Sequence, residues 1–159
     1  MTWDTRYLPP TGSLWQGRTD SPAGSAFFQV IKLLDLREPI KSDQKIIRFA
    51  LLGFACDEGI RRNQGRVGAA EGPDAIKSTL AKLPIQRQDV ICYDAGNIIC
   101  TDGNLEEAQS ALGQVVQLLM QHHIVPIVLG GGHEMAWGHF LGIQPCLQQK
   151  KLGLVNFDA

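Results

Sequence analysis

The stretch 125–134, VPIVLGGGHE, decides the reading of this chain: an apolar run passes through three glycines into a histidine and a glutamate. The run Ile124–Leu129 carries β-branched residues and stops at Gly130, as a buried strand does where it turns out of a sheet. Leu152–Phe157 repeats the plan and leads into Asp158-Ala159. In an open α/β sheet, ligands bind at the carboxyl ends of parallel strands, so His133 and Asp158 are predicted to meet on one edge. Glycines let backbone pass close beneath a ligand. An imidazole with a carboxylate suits a divalent metal of intermediate hardness, and further carboxylates shift the preference toward manganese. A phosphate cradle does not fit, since no Gly-Lys-Ser/Thr follows and the GxGxxG spacing is absent. Nor is this HExxH, because Trp137 stands where the second histidine belongs. From the residues alone, His133 is equally a metal ligand or a helix-capping or core histidine. Asp158 taken alone is more often a loop or helix N-cap aspartate than a ligand.

Outward from this stretch, apolar runs alternate with helical patterns. The runs are Ile46–Phe54, Val90–Tyr93, Ile124–Leu129 and Leu152–Phe157. Pro9 to Gly24, rich in Pro, Gly, Ser and Thr, makes residues 1–24 an N-terminal arm that leads to a helix near Ser25–Leu34. Pro73 can open a second helix, with Ile76, Leu80 and Leu83 at core-facing spacing. Asn104 with Glu107 forms a capping-box-like start, and Leu105, Ala108, Leu112, Val115 and Leu119 line one face behind it. A last helix should follow His133, turning Trp137, Phe140 and Leu141 inward. Strand–helix alternation with continuous apolar strands predicts an α/β fold with a parallel sheet covered on both faces.

The balance of 15 Lys and Arg against 16 Asp and Glu gives a net charge of −1 and no electrostatic attraction to nucleic acid or an anionic membrane. The apolar runs are too short to span a bilayer, and residues 1–15 lack the apolar stretch of a signal peptide. Four scattered cysteines without a CxxC pair then read as reduced, mostly buried thiols of a cytoplasmic protein. His122, His123 and His139 read as ordinary helix-end or surface residues.

Several of these segments, in order, resemble the ureohydrolase (arginase-like) family. The stretch 125–134 is similar to the motif in which a histidine after glycines binds manganese. Asn156-Phe157-Asp158-Ala159 is similar to the start of the family's Asp-Ala-His-x-Asp motif, and 65–76, GRVGAAEGPDAI, to its early glycine–proline turn. Within the family, 14–20, LWQGRTD, 53–63, GFACDEGIRRN, and Glu134 after the histidine resemble the formimidoylglutamase branch. The resemblance covers nearly the whole chain.

The resemblance implies a three-layer α/β/α sandwich, with residues 25–159 as the N-terminal part of a single domain. It implies two manganese ions that lower the pKa of the hydroxide attacking an amidine or guanidine carbon. It assigns His133 to one manganese and Asp158 to both, and places the remaining ligands and the proton-transfer groups beyond Ala159. The expected substrate is a small amidine, N-formimidoyl-L-glutamate, and the expected assembly a homo-oligomer. A different ureohydrolase, of the agmatinase or guanidinobutyrase type, or a non-catalytic remnant of the fold, are the alternatives. Arg61, Arg62, Asn63 and Arg66 lie just past a strand end. They are either a fork for substrate carboxylates or a solvated cluster pairing with Asp57, Glu58 or Glu71.

Overall fold

Strand formation starts where apolar residues run longest, and in the computed structural model β3 (Ile47–Ala55) and β4 (Val90–Ile99) form the parallel centre of the sheet. The structure describes residues 3–41, 46–87, 89–148 and 150–157. Strand β5 (Val125–Leu129) pairs parallel to the free side of β3. Two short strands share the other side of β4: β2 (Lys32–Leu33) runs parallel at Tyr93 and Asp94, and β1 (Tyr7–Leu8) runs antiparallel at Asn97 and Ile98. The order is β1-β4-β3-β5, with β2 also on β4. The sheet is thus mostly parallel, as expected, with one antiparallel ribbon contributed by the arm.

The arm is part of the core, because Trp3, Tyr7 and Trp15 are buried. Helix α4 (Leu105–Gln121) covers one face of the sheet, and Leu105, Ala108, Leu112, Val115 and Leu119 are all buried against Ala50, Leu52 and Phe54 of β3. Each fully buried Leu or Val there contributes about 1.5–3 kcal/mol. Its start follows the expected pattern: Asn104 Oδ1 accepts from the Glu107 N–H at 3.2 Å, and Asn104 Nδ2 donates to Glu107 Oε2 at 3.0 Å. The opposite face carries α1 (Phe27–Val30) and α3 (Gly72–Leu80), with Leu51, Cys92 and Leu129 beneath them. The layers are therefore helix, sheet, helix.

Five expectations need correction. The helix near Ser25–Leu34 is one turn long, because Lys32 and Leu33 pair with β4 instead. Strand β4 continues through Asp94 to Ile99, since Lys77 and Trp15 satisfy the carboxylate that made it look like a strand end. Ile76 in α3 and Leu83 just beyond its end are 44% and 49% exposed, and Lys77 points inward at 1%. In α5 (Met135–Ile143), Trp137 is 54% exposed and stacks on Phe140, while Gly138 and Gly142 form the buried face. Small residues win there because α5 lies so near α4 that a Cβ at Gly138 would stand 2.9 Å from Gln109 O.

The expected strand Leu152–Phe157 is not a strand, and Leu154, Val155 and Phe157 are 75%, 80% and 95% exposed. A strand needs a paired edge and apolar cover on its faces, and the described residues give neither at that place. Even β5 leaves Val125 and Ile127 exposed, and Ile127 faces an apolar cavity of about 750 Å³ that extends beneath α1 and the end of α3.

Candidate active site

Three parallel strands deliver their following loops to one edge: Cys56–Glu58 after β3, Cys100–Asn104 after β4, and Gly130–Glu134 after β5. The glycine loop is bound to the end of β3 through its backbone. The Gly131 N–H donates to Phe54 O at 3.0 Å and the Gly132 N–H to Cys56 O at 2.9 Å. A Cβ at Gly131 would collide with both of those carbonyls, so the close approach requires glycine there.

His133 follows in the turn between this loop and α5, exposed at the carboxyl edge, with its carbonyl accepting from the Ala136 N–H at 3.0 Å. That is the strand-to-helix junction the sequence predicts. Asp158, its expected companion, lies outside the described residues. Among the described residues no group of three or more His, Cys, Asp or Glu is arranged to hold a metal ion. Among these residues the exposed His133 contributes a single imidazole. The nearby Cys56 thiol is pushed up to about 12 by burial, which keeps it protonated at neutral pH.

The arginines stand on the neighbouring loop, within and after the short helix α2 (Glu58–Arg62). Arg61 Nε and Nη2 donate to Glu58 at 2.7 and 2.6 Å, and Arg62 Nε donates to the same carboxylate at 2.9 Å. Glu58 is buried at 7% exposure, and hydrogen bonds from Arg61 and Arg62 hold it down at about 2. Arg62 also reaches Glu106 at 2.5 Å and Gly103 O at 3.0 Å, which joins α2 to the loop before α4. Arg61 keeps Nη1 without a described partner on a side chain that is 65% exposed. Asn63 and Arg66 are exposed, and Arg66 has no carboxylate partner among the described residues.

Two residues that shape this edge are absent from the sequence-based set. In the sequence Glu58 reads only as a possible counter-ion, although its i, i+3, i+4 spacing to Arg61 and Arg62 is the helical ion-pair signature. Glu134 marked only a branch. Its Oε1 accepts from the Gly59 N–H at 3.0 Å, a contact between loops 75 positions apart that no local pattern reveals.

Comparison with known proteins identifies the family. Residues 47–159 match the arginase family. The chain is 46% identical over 158 residues to formimidoylglutamase from Geobacillus thermodenitrificans, covering 96% of this chain and 48% of that protein. It is 41% identical over 158 residues to formimidoylglutamase from Salmonella paratyphi A, covering 98% of this chain and 50% of that protein. The chain therefore spans about half the length of the curated relatives it matches. The crystal structure of Trypanosoma cruzi formiminoglutamase with Mn²⁺ superposes with a TM-score of 0.58 at 29% identity, covering 67% of this chain and 39% of that one. With residues 47–159 matched by the family and the fold shared, this chain belongs to the arginase family.

Proposed function

We propose that the full-length protein hydrolyses N-formimidoyl-L-glutamate to L-glutamate and formamide. The observation that carries this reading is a juxtaposition. One strand end presents His133, and its neighbour presents a loop bearing Arg61, Asn63 and Arg66, on the same edge of the sheet. A metal-ligating imidazole beside exposed guanidinium groups suits an amidine carried on an anionic amino acid. The relatives named formimidoylglutamase support it.

In this reading His133 and Asp158 hold manganese together with ligands outside residues 1–159, in line with the Mn²⁺ in the Trypanosoma cruzi structure. Bound there, manganese supplies Lewis acidity toward water and the amidine. The chain's own residues do the rest. The Gly130–Gly132 loop keeps side chains away from the reacting carbon. Arg61, through Nη1, with Asn63 and Arg66 receives the substrate carboxylates, while Arg62 braces α2 against Glu106. The same positive charge disfavours a cationic substrate such as agmatine. We take residues 1–24 as an arm on one domain unit of residues 25–159, acting in the cytoplasm as a homo-oligomer. No helix of the described residues is long and apolar enough to cross a membrane.

The test is charge reversal at Arg66 in the manganese-loaded full-length enzyme. Arg66→Glu should raise KM for N-formimidoyl-L-glutamate and leave manganese content unchanged. An unchanged KM would remove the arginine loop from substrate recognition.

A further inference from the structure

The loop that bears the arginines has two fixed points. Asp57 Oδ2 accepts from the Gly68 N–H at 2.6 Å, which closes residues 57–68 on themselves, and Gly65 N–H to Ile60 O at 2.8 Å stiffens the interior. Neither bond reaches the segment that carries His133, and the Gly132 N–H to Cys56 O bond joins that segment only to the end of β3. The Gly59 N–H donating to Glu134 Oε1 at 3.0 Å ties the arginine-bearing stretch itself to the residue after His133. The Glu134 side chain fills the space above two glycines, since a Cβ at Gly59 would stand 2.9 Å from Glu134 Cδ and one at Gly132 would overlap its carboxylate. Its own backbone is held from a third side, where Gln109 Nε2 of α4 donates to Glu134 O at 2.8 Å. Glu134 directly follows His133, so one peptide unit separates the candidate ligand from the residue that anchors the arginine loop.

We infer that Glu134 is a positioning residue for substrate specificity: through Gly59 it sets how far the arginine-bearing loop stands from the His133 imidazole. The inference rests on the proposed function, and it adds a residue whose action is on the distance between two subsites. The donor is a neutral backbone N–H, so what matters is a side-chain oxygen at the right reach. Gln supplies one, Asp falls one methylene short, and Ala supplies none.

The experiment uses the manganese-loaded full-length enzyme with Glu134→Ala, Glu134→Asp and Glu134→Gln, each assayed on N-formimidoyl-L-glutamate and on N-formimidoylglycine, which lacks the side-chain carboxylate. Glu134→Ala and Glu134→Asp should raise KM for the dicarboxylate about tenfold, the scale of one positioning hydrogen bond. Their kcat, manganese content and KM for the glycine derivative should stay near wild type, and Glu134→Gln should restore the dicarboxylate KM. Equal losses on both substrates, or a Gln variant as impaired as Ala, would overturn the inference. Hydrogen exchange at the Gly59 amide gives a readout independent of turnover: protection should be present in wild type and Gln and lost in Ala, and unchanged protection in Ala would also overturn it. A wild-type enzyme inactive on the dicarboxylate would defeat the functional reading instead, and the Gly59 amide would still report on the tie.

Discussion

Lys77 Nζ lies 2.6 Å from Asp94 Oδ1, with the two side chains 1% and 0% exposed. A bulge in β4 completes the surroundings of the pair. Leu51 pairs with Asp94 but Gly53 pairs with Asn97, so one extra residue enters β4 around Gly96, whose φ is +76°. The extra residue brings Asp94 and Asn97 onto the same face, where both accept from Lys77, at 2.6 and 2.9 Å. Trp15 Nε1 donates to the second Asp94 oxygen at 2.8 Å, and the Gly96 N–H donates to the first at 3.0 Å. Lys77→Met would leave the Asp94 carboxylate buried without its cation, at a cost of about 3–5 kcal/mol. Urea unfolding of the variant measures it, and a loss under about 1 kcal/mol would show that water reaches Asp94.

The Glu58 carboxylate gives a pH dependence whose sign is fixed. Its folded pKa, held at about 2 by Arg61 and Arg62, is below its ordinary value of 4.5. The folded state therefore binds fewer protons than the unfolded one in that range, and stability rises with pH there. The contribution is complete above pH 4.5 and is lost as pH falls toward 2. Exposed arginines on water-facing stems keep it modest. Hydrogen-exchange protection factors across 57–68, corrected for the intrinsic pH dependence of amide exchange, should fall as pH drops through that window in the wild type, and Glu58→Gln should flatten the response. An identical acid response in Glu58→Gln would assign it to another group.

Gly131→Ala should damage the edge without touching any charged group. The added Cβ meets the Phe54 and Cys56 carbonyls, so the loop must withdraw from the end of β3 and carry His133 with it. Manganese affinity of the full-length variant should fall at least tenfold, and Tm should fall too. Gly153→Ala, with nothing within 4 Å of the added carbon, is the matched control and should leave both unchanged.

Much of the fold was legible from periodicity. The α4 face, its Asn104 start, β3, β5 and the glycine turn all follow from short-range patterns that the structure repeats. What failed depended on partners distant in sequence. Lys77 and Ile76 exchange places because Asp94, 17 positions from Lys77, needs a cation more than the sheet needs another aliphatic side chain. Trp137 stays outside because Gly113, Gly138 and Gly142 bring α4 and α5 into backbone contact. Leu152–Phe157 has strand composition but no covered edge among the described residues. At the candidate site, the residue types of His133 and the arginines were readable, whereas the tie from Glu134 to Gly59 exists only in three dimensions.

Residues 1–159 expressed alone are predicted to bind no manganese pair. Manganese takes several oxygen and nitrogen donors, and of the proposed ligand set only His133 and Asp158 lie in this stretch. Calorimetric titration with Mn²⁺ should show no binding in the micromolar range. Two ions bound with that affinity would show that these residues supply a complete ligand set.

The most direct test of the central claim, that this edge belongs to a manganese enzyme for an anionic amidine, is one turnover assay on the full-length protein. With Mn²⁺ present, N-formimidoyl-L-glutamate and agmatine are offered in parallel, and formamide and urea are measured. The account predicts formamide release from the first, little or no urea from the second, and loss of activity in His133→Ala. Urea from agmatine at a comparable or greater rate, or full activity in His133→Ala, would contradict it.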